Sequence, residues 1–156
     1  MRSIFFLFTF SFCIVHFALS QVPQDREGLL NAEGMGQAAY AERNGYPGPK
    51  HALELAKELQ LSDTQKKSLR SLVEEMTTRG KELGERIIQI EEEMNKAFEN
   101  GVVTEKSVRA DADQIGRLRG KLRALHLNAH LKAKKILTEK QIEMYRKLRK
   151  TESGKQ

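Results

Sequence analysis

The chain has 156 residues, a formal net charge of +6, one Cys, no Trp and 6% aromatic residues. That length allows a single modest domain. One Cys excludes a disulfide framework, and the shortage of large rings excludes an ordinary core built on aromatics.

The first element reads as a signal peptide over residues 1–20. Arg2 is the only charge before Asp25, Ile4 to Leu19 is an apolar run, and Ala18-Leu19-Ser20 before Gln21 is a small-x-small cleavage pattern. The run is shorter than the roughly 20 residues a spanning helix needs, so cleavage is preferred over a retained anchor. Cleavage removes six of the seven Phe, Cys13 and His16, and it lowers Lys plus Arg by one while Asp plus Glu stays at 21. The mature charge is then +5, and no thiol is left for chemistry. The mature apolar residues are mostly Leu, Ile, Val, Met and Ala, which suits helix–helix seams in an elongated or oligomeric protein.

Residues 21–47 mix Gly, Gln, Ala and Pro with scattered charges and show no sustained period, so a flexible leader is expected. Pro49 opens a short amphipathic helix to about Leu59, since a Pro in the first helical turn removes only an N–H that would be unpaired anyway. Leu61-Ser62-Asp63-Thr64-Gln65 follows, and Ser62 with Gln65 forms a capping box for a helix from about Asp63 to Glu99. Its stripe is Leu69, Leu72/Val73, Met76, Leu83, Ile87, Ile90, Met94 and Ala97/Phe98, at spacings of three and four. Asn100-Gly101 ends it. Thr104 caps a third helix, about Glu105 to Ile136, with Val108, Ala112, Ile115, Leu118, Leu122, Leu125, Ala129 and Ile136 as its stripe. The short connection makes these two helices an antiparallel hairpin. Leu137-Thr138-Glu139-Lys140-Gln141 repeats the earlier signal, and Thr138 with Gln141 starts a fourth helix to about Lys150. Its apolar positions are Ile142, Met144, Tyr145 and Leu148, and residues 151–156 are a polar tail. The fold expected is all-α, a long antiparallel hairpin flanked by two short helices, with a four-helix domain over 48–150.

Two copies of Leu-[Ser/Thr]-x-x-Gln, Leu61 to Gln65 and Leu137 to Gln141, thus bracket a helical hairpin behind a signal peptide. In this the chain resembles the LTXXQ-motif family of periplasmic proteins, the Spy/CpxP-like chaperones and related heavy-metal-responsive proteins. The resemblance spans about Pro47 to Leu148 and departs only at Ser62, where the first motif has Thr; both residues cap helices. It implies a periplasmic location and a cradle-shaped antiparallel homodimer. The function it implies is ATP-independent holding of unfolded envelope proteins, within an envelope stress response, on a basic and partly apolar face. Its metal branch implies instead a sensor or resistance protein that binds divalent metals through His, Glu and Met. A sensor-kinase periplasmic domain is a further partner class.

Four other features bear on function. Gly80 and Gly84, and Gly116 and Gly120, lie four apart in the two long helices. A mid-helix Gly costs about 1 kcal/mol relative to Ala, so these positions imply a bend that curves the hairpin, a close helix approach in a dimer, or drift on a solvent face. Arg109, Arg117, Arg119, Lys121 and Arg123 crowd the third helix, with Arg79, Lys81 and Arg86 at a similar height on the second. They read as a solvated face or as an electropositive surface for acidic or unfolded partners. Nucleic acid is excluded as partner by export and by the lack of stacking aromatics. Leu127 and Leu131 lie off the main seam and are expected in core or dimer packing, or on a client. The candidate client-binding set is therefore Arg79, Arg86, Arg117, Arg119, Arg123, Leu127 and Leu131.

Finally, His126 and His130 point the same way four apart on a helix, as solvated residues or as two ligands for zinc, nickel or copper. His51, Glu54 or Glu58 is then the third ligand. No cofactor is required on the first reading. No nucleophile–base set or phosphate loop appears, so an enzyme is not expected.

Overall fold

The computed structural model describes residues 23–153, and the expected signal peptide and the last three residues of the tail lie outside them. Among the described residues there are six helices and no strand: α1 Arg26–Leu30, α2 Ala39–Arg43, α3 Pro49–Glu54, α4 Asp63–Glu99, α5 Glu105–Ile136 and α6 Glu139–Ser153. None of them is long and apolar enough to cross a membrane.

The hairpin of α4 and α5 has the bounds its capping signals predict. Ser62 Oγ accepts from the Gln65 N–H at 3.2 Å, and the Gln65 side chain accepts from the Ser62 N–H at 3.1 Å. Thr104 and Ser107 form a second box at the start of α5. Gly101, at φ 64°, turns the chain out of α4, its N–H reaching Phe98 O and that of Val102 reaching Ala97 O. Most of the seam is as expected, with Leu69, Leu72, Ile87, Ile90, Ile115, Leu118, Leu122 and Ala129 buried. Ile88 joins it, while Phe98, Ala112 and Met144 are exposed.

The two Leu-[Ser/Thr]-x-x-Gln motifs meet. Gln65 Nε2 donates to Gln141 Oε1 at 2.8 Å and Gln141 Nε2 donates to Gln65 Oε1 at 3.0 Å. Each amide also donates to a backbone carbonyl, Gln65 to Ile136 O and Gln141 to Leu59 O. The glutamines therefore cap their own helices and tie α4 to α6, which closes the end of the core formed by Leu59, Leu61, Leu69, Leu137, Ile142 and Tyr145.

The expected flexible leader is corrected in its described part. Residues 23–47 contain α1 and α2 and are packed into the fold; Leu29 has no exposed surface. Six helices stand where four were expected, and the folded unit begins before residue 48. The cause lies in α4. A Cβ at Gly84 would run into the Leu29 carbonyl, and one at Gly80 would lie 2.9 Å from Ala32 Cβ. Gly84 seats α1 and Gly80 seats Ala32 just past it, so no drift, bend or dimer contact is needed to explain them. A Cβ at Gly116 or Gly120 would meet nothing within 4 Å, so both face open space. The first expected helix is also shorter: α3 stops at Glu54, and Gln60 at φ 49° reverses the chain to bring Leu61 into the core.

Candidate functional site

The hairpin has two faces of different fate. On the first, α1, α2 and α3 pack against α4 and α5. On the second, a groove of about 720 Å³ runs between α4 and α5 and is open to solvent. Leu72, Met76, Leu83, Leu125 and Leu131 supply its apolar surface, and Leu131 is 49% exposed. Arg79, Arg86, Lys121, Lys132 and Lys135 line it together with Glu75 and Glu82. Lys132 and Arg79 share Glu75, at 3.1 and 3.3 Å, and Lys132 first and Arg79 second hold its carboxyl below the usual range. Arg86, Lys121 and Lys135 have no ion-pair partner among the described residues. Five cations against two carboxylates give the groove an uncompensated positive field beside exposed aliphatic surface.

The candidate client-binding residues divide between the faces. Arg79, Arg86 and Leu131 line the open groove. Arg119 is on the covered face, where it donates to both carboxylate oxygens of Asp25 at 2.6 and 3.1 Å, with Glu91 at 3.7 Å. This bidentate contact raises Arg119 further and holds the Asp25 carboxyl below its usual range. Arg123 lies over the Tyr40 ring, 5.6 Å from its centre. Arg117 is exposed outside the groove, and Leu127 is half-buried. Exposed Leu131 corrects the expectation of core packing at that position within one chain.

Compared with protein-family models, curated proteins and solved structures, the chain finds no match.

The histidines are on the covered face. His126 and His130 are buried, at 3% and 8% exposure, which corrects the solvated reading. His126 Nδ1 donates to Leu122 O and His130 Nδ1 to Tyr46 O, each at 2.9 Å. In the neutral ring this leaves Nε2 as the acceptor, the arrangement that orients metal-ligating histidines. His126 Nε2 is buried with no hydrogen-bond partner. These two histidines, His51, Glu42, Met35 and Met76 border one cavity of about 440 Å³. His51 Nδ1 is paired with Glu42, which also accepts from Tyr145 OH at 3.4 Å and lies 3.8 Å from Arg149. The Glu42 contact raises His51 and lowers Glu42, while burial and the Glu42 charge push Tyr145 up to about 12. Glu54 and Glu58 are exposed and do not border the cavity. Among the described residues no three His, Cys, Asp or Glu side chains converge on a metal position.

Sequence reasoning missed Glu42, Tyr46 and Tyr145 as the polar partners of this cluster. The signal that could have found them is the pair of buried-type helix positions at 126 and 130, which require acceptors and donors from a facing segment.

Proposed function

We propose that this protein is an ATP-independent holdase that captures unfolded or stressed envelope proteins in the open α4–α5 groove. The observation that supports the reading is the groove itself: exposed Leu131 among Arg86, Lys121 and Lys135, which have no ion-pair partner among the described residues. Long-range attraction gathers acidic or unfolded chains, and aliphatic contact holds them weakly. The reading includes export to the periplasm and assembly as a homodimer, which light scattering of the mature protein tests. Its functional test is the turbidity of a chemically unfolded client diluted into buffer with an equal molar amount of protein, EDTA and no ATP. Suppressed aggregation that weakens as salt screens charges beyond about 8 Å supports the reading; unchanged aggregation at low salt removes it.

A second reading, a divalent-metal sensor, is favoured by one observation, the pre-set Nε2 atoms of His126 and His130. The described arrangement does not complete a ligand shell, so Glu42 and His51 would have to part to supply one. Titration with zinc, nickel and copper tests it. Binding tighter than about 100 µM that is lost in His126→Ala/His130→Ala supports this reading, and no binding ends it.

A further inference from the structure

The covered face has an occupant from the same chain, and the chemistry of that contact is specific. Asp25 precedes α1 and Leu29 follows it by four positions, so the two lie one helical turn apart on one side. Asp25 stands at the N-cap position but makes no capping hydrogen bond; its carboxylate goes to Arg119. Leu29 enters the cluster of Ile87, Ile88, Ile115, Leu118 and Leu122. Gly84 admits the backbone of Leu29, and Arg26 adds a rim contact to Glu92 at 3.2 Å. One cation and one apolar pocket thus read one acidic group and one leucine.

The occupant is weakly built. α1 has five residues and no side-chain cap, far below the length at which a helix holds by itself. Ala32 and Met35 follow at φ 50° and 41°, a conformation disfavoured for residues with a Cβ. Met35 packs over Gly28 of α1, and a Cβ at Gly34 or Gly36 beside it would meet nothing within 4 Å, which leaves 34–36 the space to act as a hinge. Past the hinge the chain is anchored separately, by His130 on Tyr46 O and by Glu42 on His51.

We propose that the seat of α1 on α4 and α5 is a binding surface for amphipathic helical segments of other proteins that carry an acidic residue four positions before a leucine, and that α1 is its built-in competitor, released about Gly34–Gly36. The surface holds a defined motif, unlike the open groove. Its biological use rests on the holding function proposed above, but its affinity does not. A tethered competitor acts at an effective concentration in the millimolar range, so the seat is largely closed in the resting chain.

Fluorescence polarisation of a labelled peptide of residues 23–36, titrated with the full mature chain, tests this. The Asp25→Lys chain, whose own α1 is repelled by Arg119, is expected to bind the peptide at least tenfold more tightly than the unaltered chain. Peptides carrying Asp25→Lys or Leu29→Asp should not bind it. Adding Arg119→Glu to the Asp25→Lys chain removes the cation that reads the peptide's Asp25 and pairs α1 again within the chain, so peptide binding should be lost. Where Asp25→Lys fails to fold by circular dichroism, Asp25→Asn serves in its place. Equal binding by the altered and unaltered chains, or binding indifferent to the peptide's Asp and Leu, overturns the proposal. Peptide binding without suppressed aggregation leaves the seat standing and removes the holdase; suppression without peptide binding does the reverse.

Discussion

On the covered face of the hairpin, Leu29 is wholly buried, Arg119 is held by a carboxylate, Gly84 receives the Leu29 backbone and Gly80 the Ala32 methyl. On the open face, among the described residues, Leu131 is half exposed, Arg86 and Lys121 have no ion-pair partner, and only α4 and α5 line the groove. The residue types are the same on both sides, leucines beside arginines and lysines on long helices. The difference is the presence of a covering segment, and with it the consequence of a substitution. Changes on the covered face act on stability and on how tightly α1 holds its seat, and changes on the open face act on client binding.

The largest expected contrast is between two leucines. Leu29→Ala should lose about 3 kcal/mol, the scale for emptying a buried leucine site, whereas Leu131→Ala should stay within about 0.5 kcal/mol. Urea denaturation of the two variants measures both. The same contrast can be drawn with glycines. Gly84→Ala places a Cβ on the Leu29 backbone and should destabilise by about 1–2 kcal/mol, as overpacking exceeds the gain in helix propensity. Gly120→Ala meets open space and should stabilise by up to about 1 kcal/mol. Equal effects in the two glycine variants would mean that α1 is not seated on Gly84.

The paired motifs predict a smaller effect. Ser62→Ala and Thr138→Ala should each lose about 1 kcal/mol of stability. Gln65→Ala and Gln141→Ala should be coupled by at least about 0.5 kcal/mol in a double-mutant cycle, because the two amides bond to each other.

The smallest effect is on pH dependence. Glu42 raises His51 above its ordinary 6.5, so the stabilisation from that histidine is complete below 6.5 and fades as pH rises through the raised value. His51 lowers Glu42 below its ordinary 4.5, so the carboxylate's share is present above 4.5 and fades as pH falls below it. The melting-temperature difference between the unaltered chain and His51→Gln should therefore be greatest between pH 4.5 and 6.5. A difference that is flat from pH 4 to 9 would mean that the pair is not charged.

Much of this fold was legible because its signals are local. Ser62, Gln65, Gly101, Thr104 and Thr138 mark helix ends by hydrogen bonds to residues three or four away, and the bounds of α4 and α5 follow from them. The leader was not legible for the opposite reason. Leu29 carries no periodic pattern around it, and its burial depends on Gly84, far away in sequence, being small enough to admit a backbone. The histidine cluster fell between these cases. The spacing of His126 and His130 showed that they share a side, but their burial depends on Tyr46 O and on the segment that carries Glu42. The basic residues were read as one surface because sequence gives their height on the hairpin but not what covers each side. Arg119 proved to be under the leader, Arg123 exposed beside Tyr40 of the leader, and Arg79 and Arg86 beside the groove.

The most direct test of the central claim is a photocrosslinking map with an unfolded client. A crosslinking residue is placed in turn at Leu125 and Leu131 in the groove, and at Gly116 and Gly120 on open surface outside it. Crosslinks that diminish with salt are expected from the two groove positions, and none from the other two. Suppressed aggregation with equal crosslinking at all four positions, or with none at Leu125 and Leu131, would contradict that claim.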